Sequence, residues 1–247
     1  MVHDGKVIVN PGAQGGRETS YAVAAYDAND GKILWKSGHA QASYASPMLA
    51  TLAGRLQVLI FDAEGLAGLD LSNGQEWWRF PWKTAFDINA SQPIVVDEGN
   101  VFITSQNGAA LINVSEQEGK FVAKSLWENR LMKCHYANPI AKGGYVYGLD
   151  GGILACLDLK TGKRQWKGGR YGHGQMLLAG NSLLILTEQG DVAVVEASRK
   201  EHQESAKFPA IEGKTWNNPV LCRGTLYVRN HLEMAAFDLR KNHDNER

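Results

Sequence analysis

The stretch Leu157–Trp166, LDLKTGKRQW, decides the fold because its spacing recurs elsewhere in the chain. In it, an acidic residue is followed by a glycine four positions later and by a tryptophan eight positions later. Two further stretches keep this spacing, YDANDGKILW at residues 26–35 and LDLSNGQEWW at residues 69–78. A spacing that recurs along a chain indicates a repeated structural unit, so we interpret the protein as a repeat protein.

Three less regular copies complete the series. The copy at Asn113 is stretched, with Gly119 and Trp127 farther along, and weaker copies begin at Glu196 and Asp238. The six leading positions, 27, 70, 113, 158, 196 and 238, lie 38 to 45 residues apart. This period is typical of a four-stranded propeller blade.

Each unit is made of short β-branched and aromatic runs separated by glycine and asparagine, with no helical period. The runs are KVIVN, QVLIF, NVFIT, YVYGL and LYVRN. We therefore predict an all-β fold, a β-propeller of four-stranded antiparallel blades with about six blade-like units. Residues 1–240 are expected to form a single propeller domain, and residues 241–247 a polar tail.

Four strands, A to D from the inside outward, can be assigned in a unit. Strand B is the apolar run after a glycine turn, strand C ends in the repeated acid, and strand D carries the tryptophan. Strand A follows a polar residue and a proline, because proline at the first position of a strand costs no ladder hydrogen bond. These pairs are Ser46-Pro47, Gln92-Pro93, Asn138-Pro139 and Asn218-Pro219.

The first and last units are predicted to be incomplete. The first begins at strand B, residues 6–10, and the last ends at strand C, residues 235–239, which gives 22 strands. Unpaired edges invite pairing with other chains, so we expect the chain to be the C-terminal part of a propeller with about eight blades. The alternative is a compact ring of six sheets, two of them three-stranded.

The repeated acids and tryptophans are assigned structural roles, because one catalytic site does not need a copy in every blade. The carboxylate can cap the backbone N–H groups of the turn, and the tryptophan can pack between neighbouring sheets. The residues assigned in this way are Asp27, Trp35, Asp70, Trp78, Trp127, Asp158 and Trp166.

Composition excludes several classes of function. The 26 Lys and Arg balance 26 Asp and Glu, which argues against broad electrostatic binding of nucleic acid or anionic lipid. The three cysteines, Cys134, Cys156 and Cys222, have neither a disulfide-framework nor a zinc-site spacing. No apolar run approaches the ~18 residues of a membrane span, and the start lacks the features of a signal peptide. We therefore expect no nucleic-acid partner and no direct membrane insertion, and the compartment remains unknown from these residues.

The repeat resembles the pyrroloquinoline-quinone-like, or quinoprotein-like, β-propeller repeat of bacteria. LDLKTGKRQW matches the repeat closely, and the resemblance runs from Lys6 to Leu239. The phrases YASPMLATLAG and LYVRN are similar to those of bacterial envelope propellers, including the outer-membrane β-barrel assembly lipoprotein. The resemblance implies a propeller of the periplasm or cell envelope.

The cofactor does not follow from the name of the repeat. Quinone-dependent alcohol dehydrogenases of this superfamily need Ca²⁺, a carboxylate base and stacking groups that include a ring of adjacent cysteines. This chain has no adjacent cysteine pair and no clear oxygen-ligand cluster for a hard cation. We expect no catalytic residue and no cofactor, and pyrroloquinoline quinone with Ca²⁺ only under the enzyme alternative.

Unrepeated residues in the D-to-A connections are the candidates for binding, because these connections are expected to converge on the central-channel face. They alternate cations, aromatic rings and amides, which predicts a polar, mildly positive surface for an acidic group or a peptide. The alternative is that these are solvated loops without a ligand. The candidates are Tyr44, Lys83, Asp87, Asn89, Lys133, His135, Tyr136, Arg170, His173, Lys214 and Trp216.

Two narrower hypotheses concern the same face. His135 and His173 hold similar places in adjacent units, and Asp87 is the nearest third metal ligand, but hydrogen-bonded loop histidines are the commoner case, so we predict no metal site. The long connection at residues 11–20 is either a lid or a flexible glycine-rich hairpin tip.

The sequence thus predicts a non-catalytic binding or scaffolding propeller that recognises a protein, a peptide or a small anionic ligand. The alternative is a quinone-dependent dehydrogenase of alcohols or sugars. A protein or peptide partner is expected, together with further blades before this chain.

Overall fold

The structure, a computed structural model, describes residues 1–13 and 20–240. The described residues form β-strands with a single 3₁₀ turn, Ala85–Asp87, so the predicted all-β class is confirmed. The predicted polar tail at residues 241–247 and most of the glycine-rich connection, residues 14–19, lie outside the described residues. Two compact units are distinguished: Met1–Tyr136 with Leu159–Gly162, and Ala137–Asp158 with Lys163–Arg247.

The first unit contains three four-stranded antiparallel sheets, in which strands consecutive in sequence are neighbours. The first sheet is β1 (Val2–His3), β2 (Lys6–Val9), β3 (Val23–Asp27) and β4 (Ile33–Ser37). The second sheet is β5 (Met48–Leu52), β6 (Arg55–Asp62), β7 (Gly65–Asp70) and β8 (Glu76–Pro81). The third sheet is β9 (Ile94–Val95), β10 (Asn100–Ser105), β11 (Gly108–Gln117) and β12 (Lys120–Asn129).

The second unit contributes two four-stranded sheets and, in the described residues, one three-stranded sheet. The fourth sheet is β13 (Ile140–Lys142), β14 (Tyr145–Asp150), β15 (Ile153–Asp158) and β16 (Arg164–Arg170). The fifth sheet is β17 (Gln175–Ala179), β18 (Ser182–Leu186), β19 (Asp191–Glu196) and β20 (Glu204–Pro209). The sixth sheet is β21 (Val220–Cys222), β22 (Thr225–Arg229) and β23 (Met234–Asp238).

The first sheet corrects one expectation. It was predicted to lack strand A, but Val2 and His3 form a short strand that pairs with Val7 and Lys6 of β2. The described residues therefore contain 23 strands instead of 22. A two-residue strand has no proline lead and is too short to show an alternating pattern, which is why the sequence did not reveal it.

Apolar side chains fill the spaces between consecutive sheets within each unit. In the first unit, one cluster joins the first and second sheets and includes Ile8, Trp35 and Ile60. A second cluster joins the second and third sheets and includes Phe61 and Ile103. In the second unit, corresponding clusters join the fourth sheet to the fifth and the fifth to the sixth. Sheet faces are thus buried against one another, as four-stranded units of a repeat require.

The repeated acid and tryptophan act on the turn between the third and fourth strands. The Asp70 carboxylate accepts a hydrogen bond from the backbone N–H of Ser72 at 2.6 Å, and Gly74 N–H donates to the Asp70 carbonyl at 2.9 Å. The Trp35 indole of the preceding sheet donates to the carbonyl of Leu71 in this turn at 3.2 Å. The tryptophan of one sheet therefore docks on the turn of the next.

Two more tryptophans make the same contact. The Trp127 indole donates to the Leu159 carbonyl at 2.8 Å, and the Trp166 indole donates to the Ser198 carbonyl at 2.8 Å. The acceptors of Trp35 and Trp127 are Leu71 and Leu159, and each directly follows a repeated acid in the sequence. The interlock explains why the acid, glycine and tryptophan recur together.

Trp78 departs from this pattern. Its indole donates at 2.6 Å to the side-chain oxygen of Gln57, which is buried in the same sheet. The next copy of the repeat has Asn113 instead of an acid, and its two strands extend to ten residues each before they turn at Gly119. Because these strands are long, their turn lies farther along than the turns that accept the other tryptophans. The Gln57 side chain is the acceptor for Trp78 instead.

Candidate functional site

The candidate binding residues lie where the repeat places them, at connections from the last strand of one sheet to the first strand of the next. In the first unit, Tyr44 follows β4, Lys83, Asp87 and Asn89 follow β8, and Lys133, His135 and Tyr136 follow β12. In the second unit, Arg170 ends β16, His173 follows it, and Lys214 and Trp216 follow β20.

The β8–β9 connection of the first unit carries an unusual turn. Phe86 and Asp87 have backbone φ angles of 64° and 56°, which is the left-handed region that non-glycine residues seldom enter. The Phe86 side chain is 88% exposed. Two consecutive left-handed residues store conformational strain, and such strain persists only where the surroundings fix the backbone.

Hydrogen bonds from neighbouring segments fix this backbone. Ser43 of the β4–β5 connection donates its hydroxyl to the Asp87 carbonyl at 2.8 Å and accepts from the Asn89 N–H at 2.5 Å. From the β10–β11 turn, the Gln106 amide donates to the Ala85 carbonyl, and the Asn107 amide donates to the Lys83 carbonyl at 2.6 Å. Two other segments therefore hold the turn that presents Phe86.

Asn89 lies beneath the turn and has no exposed surface. Its amide donates to the Asp62 carbonyl at 2.8 Å and to the Trp82 carbonyl at 3.2 Å. Among the candidates, it is therefore a positioning residue that ties the connection to the β6–β7 turn.

Lys83 and Asp87 line the same cavity, of about 280 Å³. His39, Gln41 and Glu64 also line it, together with Ala13 and Ala63. Tyr44 is 74% exposed and directly follows Ser43, the residue that holds the turn. The first unit thus brings a cation, two carboxylates and two exposed aromatic rings to one set of connections.

The β12–β13 connection is anchored through buried Cys134. The Cys134 N–H donates to the Thr104 hydroxyl at 3.3 Å, and the Ser91 hydroxyl donates to the Cys134 carbonyl at 3.2 Å. The rings of His135 and Tyr136 meet nearly edge to face, with their centroids 6.1 Å apart. Lys133 and His135 are half-buried on either side of this anchor.

In the second unit, three candidates converge on Glu188, which the sequence analysis did not identify. The Glu188 carboxylate accepts hydrogen bonds from the His173 N–H at 3.0 Å and from the Trp216 indole at 3.1 Å. The Lys214 ammonium lies 3.7 Å from the same carboxylate and 3.9 Å from the centre of the Trp216 ring. These contacts hold Trp216, which is 51% exposed, in one position.

The charge of Glu188 is stabilised in this arrangement. The hydrogen bond from the His173 backbone N–H is the largest cause and lowers the pKa of the Glu188 carboxyl. Partial burial acts in the opposite direction, and Trp216, His173 and Lys214 lower the pKa further, so that the net direction is downward. Glu188 lies in the β18–β19 turn, a connection from strand B to strand C. The signal that identifies it is positional, because B-to-C turns lie beside D-to-A connections in a repeat of this kind.

Arg170 stands next to a fixed aromatic residue. The buried Tyr171 hydroxyl donates to the Glu204 carboxylate at 2.7 Å and lies 2.8 Å from Nε2 of His202. Burial is the main reason that the pKa of Tyr171 is raised. Arg170 itself is exposed at the end of β16. This connection therefore combines a buried, hydrogen-bonded tyrosine with an exposed arginine.

Within residues 1–13 and 20–240, no group of three or more His, Cys, Asp or Glu side chains could hold a metal ion. Cys134 and Cys156 are buried and Cys222 is exposed, each as a free thiol. Among the described residues, no helix is long and apolar enough to cross a membrane.

A known protein family matches more than half of the chain. The profile of the family described as outer membrane protein assembly factor BamB matches residues 1–168. Outer membrane protein assembly factor BamB of Moranella endobia (strain PCIT) is 23% identical over 223 residues, which cover 83% of this chain and 54% of that protein. The chain therefore spans about half the length of the curated relative that it matches.

Solved structures share the fold. BamB from Moraxella catarrhalis superposes with a TM-score of 0.67 at 15% identity, over 87% of this chain and 67% of that one. The computationally designed Ika8 protein gives a TM-score of 0.61 at 11% identity, over 92% of this chain and 66% of that one. The predicted propeller of four-stranded antiparallel blades is confirmed, as is the predicted resemblance.

Proposed function

The chain belongs to the family of outer membrane protein assembly factor BamB, and from that premise we propose that it is a non-catalytic scaffold that binds a protein partner in a bacterial cell envelope. The Moranella endobia relative is, by its name, a factor in outer-membrane protein assembly. We propose that this chain acts in the same kind of assembly, as a binding module without a cofactor. The family supports this class of function.

The Phe86 turn is the observation that carries the proposal. An exposed phenylalanine on a flexible loop would lose conformational entropy when it binds, whereas the backbone here is already fixed by hydrogen bonds to Ala85 and Asp87. Aromatic residues held in this way are typical anchors of protein–protein interfaces. We place the centre of the partner-binding face of the first unit at Phe86, with Tyr44 and Lys83 beside it.

The second unit supplies a similar arrangement on its own. Trp216 is held by Glu188 and Lys214, and it offers an aromatic surface with a cation above it. The other candidates complete the proposed faces: Asp87, Lys133, His135 and Tyr136 in the first unit, and Arg170 and His173 in the second. No observation favours the dehydrogenase alternative.

Photo-crosslinking tests the proposal directly. We would replace Phe86 with the photoreactive residue benzoylphenylalanine in the full chain, express it in a bacterium that carries the natural gene, and irradiate intact cells. A matched probe at Leu34 occupies another exposed apolar position, on β4. Both variants should keep the melting temperature of the unmodified protein.

The expected result is a single crosslinked envelope protein from position 86, identified by mass spectrometry, and little or none from position 34. Phe86→Ser should reduce co-purification of that protein by about tenfold or more, as expected for an interface anchor. Equal labelling from both positions, or no adduct from position 86, would overturn the proposal.

A further inference from the structure

A second cavity adjoins the β8–β9 connection. Its volume is about 380 Å³, and its lining is Pro81, Trp82, Lys83, Asn107, Glu128 and Arg130. Lys83 is shared with the smaller cavity that contains Asp87. Among these lining residues, only Lys83 was a candidate from the sequence.

The charges of this cavity are unbalanced. Lys83 and Arg130 are both exposed, and neither forms an ion pair with a side chain of the described residues. Glu128 is the one carboxylate in the lining. The chain as a whole is neutral, so the excess of positive charge is a local property of this cavity.

Two adjacent residues of the lining, Trp82 and Lys83, are held by hydrogen bonds. The carbonyl of Lys83 accepts the Asn107 amide at 2.6 Å, and the Trp82 indole donates to the Ser105 hydroxyl at 2.8 Å. Both contacts come from the β10–β11 turn and its flanks, so the base of Lys83 is fixed while its ammonium group stays exposed.

The backbone around Arg130 is constrained by its neighbour Asn129. The Asn129 side chain accepts from the Leu131 N–H at 2.9 Å and donates to the Gly162 carbonyl at 2.9 Å. A side chain at Gly108 would lie 2.1 Å from the Asn129 carbonyl oxygen and 3.2 Å from Cα of Arg130, so glycine permits this close approach. These contacts constrain the backbone on either side of the cavity, and a constrained backbone loses less conformational entropy on binding than a mobile loop does.

We propose that this cavity binds a carboxylate of an acidic segment in the protein partner, with Lys83 and Arg130 as its ligands. The inference rests on the proposed function and specifies the chemistry of the partner. A guanidinium binds a carboxylate through parallel N–H donors, and an ammonium adds a third donor and a second charge. Phe86, three residues after Lys83, then contacts an apolar side chain beside the acid.

Glu128 should act on an acidic ligand in the opposite direction to Lys83 and Arg130. Its carboxylate lines the same cavity and repels an incoming acidic group. Removing that charge should therefore tighten the binding of an acidic ligand, whereas removing Lys83 or Arg130 should weaken it. A purely structural role for these side chains does not predict opposite signs.

The experiment uses the full chain and synthetic peptides of nine residues, in which glutamate alternates with phenylalanine and glycine. The reference peptide is acetylated and amidated, a second has glutamine in place of glutamate, and a third has the glutamine sequence with a free C-terminal carboxylate. Fluorescence anisotropy would give each dissociation constant, and the second and third peptides separate side-chain carboxylates from a terminal one.

We expect the glutamate peptide to bind at least about tenfold more tightly than the glutamine peptide, a difference of ~1.4 kcal/mol. Lys83→Gln and Arg130→Gln should each weaken it by about tenfold, and Glu128→Gln should strengthen it by about threefold. The control Lys124→Gln with Lys200→Gln removes two exposed cations elsewhere and should leave the affinity unchanged. Added salt should weaken binding because both ligands are exposed.

Two results would overturn the inference. One is equal affinity for the glutamate and glutamine peptides, and the other is an equal loss from the control variant, which would indicate a diffuse charge effect. If position 86 still crosslinks one partner in a Lys83→Gln and Arg130→Gln protein, with no loss of yield, the scaffold function stands and the carboxylate site is wrong. If position 86 gives no partner while the glutamate peptide binds selectively, the carboxylate site stands and the scaffold function is wrong.

Discussion

Gly74 allows two neighbouring sheets of the first unit to interlock. A Cβ atom at this position would lie 2.4 Å from Cε3 of Trp35, and the residue has a φ of 74°. Alanine therefore meets both a left-handed backbone and a direct overlap with the indole. Gly119 has a nearly equal φ of 77° but no atom within 4 Å, so alanine there meets the backbone penalty alone.

We expect Gly74→Ala to lower the free energy of unfolding by ~1–3 kcal/mol more than Gly119→Ala, which is the usual range for an overpacked site. Urea unfolding of the two variants measures this difference, and Gly119→Ala is the control for backbone strain, of about 1–2 kcal/mol. Gly162→Ala, which would meet Trp127 at 2.7 Å, should behave like Gly74→Ala. Equal losses at Gly74 and Gly119 would mean that the indole moves aside without cost.

Residues that repeat could be predicted from the sequence, whereas residues outside the repeat could be selected only by their place in a D-to-A connection, and Glu188 and Arg130 were missed. The spacing of Asp70, Gly74 and their copies identifies them without knowledge of the fold. Glu188 receives hydrogen bonds from residues 15 and 28 positions away, and no short motif records such contacts. Arg130 was missed for the same reason, since its significance depends on sharing a cavity with Lys83.

The indole hydrogen bonds between elements should differ in energy because the bonds differ in burial. The hydrogen bond from Trp127 of β12 to the Leu159 carbonyl is partly buried, whereas the hydrogen bond from Trp78 of β8 to the Gln57 side chain is fully buried. Removing one partner of a buried hydrogen bond leaves the other without solvent as a substitute. Phenylalanine keeps an aromatic ring at either position but removes the donor.

We expect Trp78→Phe to destabilise the protein by ~1–3 kcal/mol in excess of the loss of ring area, and Trp127→Phe to cost ~0.5–1.5 kcal/mol. Thermal and urea unfolding of both variants would measure the difference. Trp35→Phe, whose acceptor is also a turn carbonyl, serves as the matched control for Trp127→Phe. A larger loss at Trp127 than at Trp78 would contradict the role assigned to Gln57.

Strand starts were predictable wherever proline marks them. Each polar-proline pair is followed directly by a first strand, as Pro47 is by β5 and Pro219 is by β21. β17 has no such proline, and β1 has only two residues, so neither start has a marker in the sequence. The left-handed turn at Phe86 was also beyond prediction, because hydrogen bonds from two other connections impose it against local preference.

At the scale of the whole molecule, the repeat period predicted the fold class because the number of residues per unit sets the number of strands. The binding surfaces depend instead on which connections meet, and the period carries no such information. Whether residues 1–240 act as one domain remains a prediction. The family relation supports the proposed class of function, and the chemistry of a partner has to be argued from the residues of this chain.

The sixth sheet leaves one strand edge and one face open in the described residues. β23 pairs with β22 alone, and the register places Val220 beside Tyr227 and Arg229 beside Met234 on the open face. Val220 and Met234 are 55% and 70% exposed. An unpaired edge next to apolar side chains is a template for pairing with another chain.

We expect this edge to make the isolated chain associate with itself reversibly, and most strongly near neutral pH, because the formal net charge of zero provides no long-range repulsion. Sedimentation velocity over a wide range of protein concentrations would measure the association, with a reductant present because Cys222 is an exposed thiol. Tyr227→Lys and Met234→Lys place charges on the open face and should each reduce association by about tenfold, or ~1.4 kcal/mol. Leu34→Lys adds the same charge on β4 and should have a smaller effect, which separates the sheet edge from net charge. A chain that remains monomeric at every concentration, or that responds equally to all three lysines, would show that the open edge is already protected.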